Sequence, residues 1–182
     1  MLRIFRNLFG GAPAGASPDA WDTAEGEQVA VRFRPRLITQ LLEDHAALRN
    51  DMRRVLDACR RRDEDAQIIG LQGFAETFRR SSLVKSVQFH PYLYWALGRE
   101  RVAASQVETL VAQAQDHVQG IDALLRAYLN APWLTAQRRA LFGDIARIAH
   151  LLAQVSRLEE SSLFPLYVPP GQYRHLRGAR AN

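Results

Sequence analysis

Apolar residues recur along four stretches of the chain at alternating three- and four-residue spacing, as in helices that turn one face to a core. In the first, over about residues 36–61, Ile38, Leu41, His45, Leu48, Met52, Val55 and Cys59 form the stripe, while Arg49, Arg53 and Arg60 lie on the polar face. Pro35 suits the first turn of that helix. The second stretch starts near Asp63 and Asp65, whose carboxylates suit a helix N-terminus. Its stripe reads Leu71, Phe74, Phe78, Ser81, Lys85 and then Gln88 or Phe89. Pro91 disfavours helical geometry in the residue before it, so a stop or kink is predicted at His90, with YLYWAL continuing beyond. Ser105 followed by Glu108 reads as a capping box opening the third helix, whose stripe is Leu110, Ala114, His117, Ile121, Leu124 and Tyr128. Asn130, Pro132 and Trp133 end it. Thr135 is the predicted N-cap of the fourth, with Ile145, Ile148, Leu152, Val155, Glu159 and Ser162 inward and Pro165 closing LFPLY.

No solenoid-type repeat and no hairpin pattern interrupts this series. Four amphipathic helices with short connections predict an all-α, up-down-up-down four-helix bundle. The predicted organisation is an N-terminal amphipathic segment and linker (1–30), the bundle (31–168) and a flexible basic tail (169–182). In MLRIFRNLFG, Arg3 and Arg6 alternate with Leu2, Ile4, Phe5, Leu8 and Phe9, which interrupts any signal-peptide core. Such a segment suits either a frayed or body-packed terminus or peripheral contact with a membrane or a partner.

Composition narrows the function classes. Hydrophobic residues at 47% and charged residues at 24% are ordinary for a soluble globular chain. One cysteine, Cys59, rules out an internal disulfide and a cysteine-rich zinc site, so a cytoplasmic, reducing location is expected. The formal charge of +5 is spread as arginines among acids, with no basic motif, and nucleic acid is not the expected partner. No apolar run has the length of a membrane span. There is no nucleophile–base pair at recognisable spacing, no glycine-rich phosphate loop and no carboxylate pair on one core face, so no enzyme activity is expected.

Every stripe nevertheless carries a polar residue: His45 on the first helix, Ser81 and Lys85 on the second, His117 on the third and Glu159 on the fourth. Four such stripes meeting at one level is how helical bundles build metal sites. Lys85 is the only lysine among 24 basic residues. The stretches LITQLLEDHAAL, KSVQFHPYL and LEESSLFPLY, together with His117, resemble the ligand-bearing segments of the hemerythrin-like (HHE cation-binding) family over about residues 36–167. The resemblance implies metal-ligand positions at His45, His117 and Glu159. It is incomplete, because the second-helix His and Glu positions fall on Ser81 and Lys85, and Val155 stands where a further His often lies.

Two readings follow. In one, Lys85 replaces the cation, no cofactor is bound, and Ser81, Lys85, Glu159, His45 and His117 form a buried polar cluster. In the other, His45, His117 and Glu159 hold a mononuclear or weakened iron or zinc site used in sensing or handling oxygen, nitric oxide or metal. LITQLLEDH and LQGFAETF also resemble, more weakly, the regulator of sigma D/AlgQ proteins, metal-free bacterial bundles that bind a sigma factor. The first reading therefore implies a non-enzymatic regulatory module with a protein partner, such as a transcription factor or sigma factor.

Overall fold

The computed structural model describes residues 31–97, 101–130 and 133–173, and every regular element among them is helical. The four long helices are α1 (Leu37–Arg61), α2 (Glu64–Val84), α4 (Arg101–Leu129) and α5 (Thr135–Leu158). Between α2 and α4 lies α3 (His90–Leu97). α1 packs on α2 and α5, and α4 packs on α5 and α2, around one hydrophobic core. The expectations for residues 1–30 and for the tail beyond Tyr173 lie outside the described residues. Among the described residues no helix is long and apolar enough to cross a membrane.

The second stripe faces the core as the spacing predicts, and so does the middle of the first, whereas at its ends Leu37 and Ala58 are buried in place of the half-buried Ile38 and Cys59. Leu37, Leu41, His45, Leu48, Met52 and Val55 are buried on α1, and Leu71, Phe74, Phe78 and Ser81 on α2. A tight turn joins them. Arg62 takes the left-handed conformation (φ 58°, ψ 32°), and the amides of Arg62 and Asp63 bond back to Cys59 and Ala58. Asp63 then caps α2 by accepting from the Ala66 amide at 3.0 Å. At Gly70 a Cβ would stand 2.9 Å from Val55 Cγ2, so the packing of α1 on α2 at this point depends on glycine.

Pro91 does not stop the second helix. The chain runs through a π-helical turn, Lys85–Phe89, straight into α3. The His90 amide bonds to the Lys85 carbonyl, and this wider turn ahead of the proline accommodates its ring without ending the helix. The fourth helix does the same: a π turn over Glu159–Leu163 precedes Pro165, with the Phe164 amide on the Glu159 carbonyl. A short 3₁₀ turn, Phe164–Leu166, follows.

Two helix starts differ from the predictions. α4 begins at Arg101, so Ser105 and Glu108 lie inside it and are not its cap; Thr109 Oγ1 donates to the Ser105 carbonyl there. Thr135 is the first residue of α5, and the Gln137 side chain reaches back to accept from the Leu134 amide at 2.7 Å. The core face of α4 is also rotated. Val107, Val111, Ala114, Ile121, Leu125 and Tyr128 are buried, whereas Leu110, His117 and Leu124 are only half-buried. Leu110–Val111 and Leu124–Leu125 are adjacent apolar pairs, so spacing alone could not choose between the two faces.

The chain's entry and exit meet at the end of the core that holds both prolines. Phe33, Phe89, Tyr92, Phe164, Tyr167 and Tyr173 form an aromatic cluster there. The Arg34 amide donates to Tyr167 Oη at 2.9 Å, and Tyr92 Oη donates to the Val168 carbonyl at 2.6 Å. Packing therefore continues to Tyr173, which is buried and hydrogen-bonded to the Leu166 carbonyl.

Candidate functional site

The two π turns each begin on an ionisable residue six positions before a proline: Lys85 ahead of Pro91, and Glu159 ahead of Pro165. Both side chains enter the core, with Lys85 6% and Glu159 1% exposed. Lys85 Nζ donates to Glu159 Oε2 at 2.6 Å. His45, equally buried, faces the same oxygen with Nε2 at 2.9 Å, and Lys85 Nζ lies 3.3 Å from that nitrogen. These three residues come from α1 and from the ends of the second and fourth helices.

His45 is held on three sides. Its Nδ1 stands 2.7 Å from Glu160 Oε1, which also accepts from Arg49 Nη1 at 3.1 Å. Its face stacks on Phe164, with centroids 5.4 Å apart. Both ring nitrogens thus face carboxylate oxygens, and a hydrogen on each would satisfy both contacts. The 3.3 Å spacing to Lys85 then follows from the shared acceptor.

Electrostatics keep Glu159 ionised. Burial pushes its carboxyl up, but the Lys85 charge, the hydrogen bonds from His45 and Lys85, and the His45 charge together hold it below the ordinary carboxylate value. Glu160 is also lowered: burial opposes, and the hydrogen bonds from His45 and Arg49 prevail. Burying charges carries a penalty of several kcal/mol for each ion, which only close pairing offsets. Here the pairing is close.

His90 belongs to this neighbourhood, although its place before Pro91 marked it only as a helix-end residue that caps or packs beside Trp95. It is 6% exposed, and neither ring nitrogen has a hydrogen-bond partner. Burial lowers its pKa from 6.5 to about 4; the Glu159 charge opposes this and the Lys85 charge adds to it. Ser81 Oγ, one turn before Lys85, and Ser156 Oγ, three residues before Glu159, are likewise buried and unpartnered. The polar patch therefore has more hydrogen-bonding capacity than its own members use.

His117 is placed elsewhere. It is half-buried in an open groove of about 480 Å³ between α4 and the fourth helix, with Asp116, Gln154, Arg157 and Ser161. The structure thus brings together Lys85, Glu159 and His45, sets Ser81 on the same helix face without a bond, and leaves His117 apart. Sequence reasoning missed Glu160 and His90. Glu160 neighbours Glu159 on a polar edge, and the only available signal was a paired carboxylate within reach of a core histidine. His150 is exposed.

A metal shared by His45 Nε2 and Glu159 Oε2 would need to sit about 2.0–2.2 Å from each. The Lys85 ammonium lies beside both atoms, 3.3 Å from His45 Nε2 and 2.6 Å from Glu159 Oε2. Among the described residues no group of three or more His, Cys, Asp or Glu side chains is placed to hold a metal ion. An iron or zinc ion on these two atoms would face the Lys85 charge directly. Compared with protein-family models, with curated proteins and with solved structures, the chain matches none of them.

Proposed function

We propose that the chain is a hemerythrin-like four-helix bundle, connected up-down-up-down, in which the ammonium of Lys85 stands in the cation's place. It acts as a non-enzymatic regulatory module through a protein partner, with transcription factors and sigma factors the first class to examine. The observation that carries this reading is the 2.6 Å contact of Lys85 Nζ with the buried Glu159 carboxylate, flanked by His45. An internal cation satisfies the charge that a bound one would otherwise neutralise. Lys85, Glu159 and His45 are each no more than 6% exposed, so contact with a partner falls to the outside of the helices.

Elemental analysis of the purified chain, before and after anaerobic loading with ferrous iron, tests this. The expected result is far less than one metal atom per chain in both cases. Retention of roughly one or two iron atoms per chain with a visible absorption band overturns it and restores the metal-binding reading.

A further inference from the structure

The four long helices differ in how far their charge is balanced. Arginines stand against carboxylates five to four on α1, two to three on α2 and two to three on α4, but four to one on α5. Of the four on α5, Arg138 pairs with Glu64 of α2. Arg139, Arg147 and Arg157 are exposed and make no ion pair among the described residues. The carboxylates nearest to them along the chain are drawn away from them. Asp144, one turn before Arg147, accepts from Tyr128 Oη of α4. Glu159 is taken by Lys85, and Glu160 is held by His45 and Arg49 of α1.

Arg139, Arg147, His150 and Arg157 follow one another at steps of eight, three and seven residues, close to whole turns, so they share the outward face of α5. All four are exposed, and Gly143, Ala146 and Gln154 between them leave the cations uncovered. The row is about 27 Å long, with its arginines about 12 and 15 Å apart along the axis. At the Arg157 end it borders the open groove of about 480 Å³. Gln154, Arg157 and Ser161 line one side of that groove, and Asp116 and His117 the other. Asp116 is its one carboxylate and makes no ion pair with Arg157 across it.

We infer that this row and groove dock an acidic, extended segment of a partner protein. One carboxylate side chain enters the groove on its Arg157 and Gln154 side, and others lie along Arg147 and Arg139. Three arginines whose neighbouring acids are engaged elsewhere present one half of a set of charge-assisted hydrogen bonds, and carboxylates complete it. An extended segment of about eight residues spans the row. A nucleic-acid strand fits it less well. Its phosphates follow at about 3.4 Å, far denser than these arginines, and a continuous line of them would run against Asp116. The inference rests on the reading of the chain as a partner-binding module and adds the surface and the chemistry of the partner.

A fluorescein-labelled peptide of ten glutamates, titrated with the full chain and read by anisotropy at about 50 mM salt, serves as the probe. Binding should saturate and weaken as salt is raised. Arg147→Glu with Arg157→Glu should weaken it about tenfold or more, and Asp116→Asn should strengthen it. Arg53→Glu with Arg61→Glu makes the same change of charge on the exposed side of α1 and should leave binding within about threefold, with circular dichroism verifying each fold. Absence of binding overturns the inference. So does an equal loss from the two double variants, which would make the effect one of net charge, or indifference to Asp116→Asn. Tighter binding of a ten-nucleotide single strand or of phosphatidylserine vesicles, lost with the α5 variant, overturns it in favour of those ligands. None of these outcomes bears on metal content, so failure here is distinct from failure of the metal-free reading.

Discussion

Glu159 accepts two contacts through one oxygen, and this decides what each substitution leaves behind. Glu159→Ala strands the Lys85 ammonium and His45 Nε2 in the core, and should cost about 3–5 kcal/mol in urea unfolding. Lys85→Met with Glu159→Leu removes both charges and should cost less than half as much. Equal, mild losses from the two would mean that these side chains face water. His90 governs a different pH range. Its folded value is about 4 against 6.5, so below pH 6.5 the unfolded chain takes a proton that the folded chain refuses. Stability should therefore fall as the pH drops from 6.5 to about 4, by about 3 kcal/mol from this ring alone. The stability linked to Glu159 is present above its ordinary value of 4.5 and is lost only as the pH falls through its lower folded value. His90→Leu should flatten the upper part of the profile and leave the lower part in place; an unchanged slope would assign the loss to other groups. The Lys85–Glu159 pair was legible in the sequence, because each residue falls on an apolar stripe. The surroundings of His90 were not, because they depend on a helix continuing through a proline.

At the scale of the elements, spacing was informative where one face is apolar and uninformative where two adjacent positions both are. α1 and α2 follow their stripes, whereas the doublets Leu110–Val111 and Leu124–Leu125 on α4 conceal a rotation that moves His117 out of the core. The π turns were illegible for another reason: no propensity marks them, and only the prolines that follow hint at strain in the helix. The turn between α1 and α2 gives an element-scale prediction. Arg62 holds a left-handed conformation that costs a residue with a Cβ about 1–2 kcal/mol. Arg62→Gly removes that cost and gives back about 0.5–1 kcal/mol in backbone entropy. The net gain should be about 0.5–1 kcal/mol, read as a rise of a few degrees in the thermal midpoint. A fall would mean that the arginine side chain contributes more than its backbone costs.

For the whole molecule, the decisive relation is that one segment serves two faces. The turn over Lys85–Phe89 carries the buried cation on its inner side and leaves Val87 exposed on its outer side. The aromatic cluster, built from both the entry and the exit of the chain, packs beside the buried pair: Phe164 stacks on His45, and Phe89 closes the turn. The double variant Lys85→Met with Glu159→Leu separates the two roles. If the turn is held by Pro91 and the aromatic packing, stability shifts modestly and the His90 amide, bonded to the Lys85 carbonyl, keeps its protection from exchange. If the ion pair itself keeps the turn wide, relaxation to α-helical spacing rotates the segment beyond it about the helix axis and moves the buried Tyr92 and Leu93 off the core. Hydrogen exchange would then show a changed bond at the His90 amide in a chain that remains folded. The two outcomes assign the π turn either to the proline or to the charge.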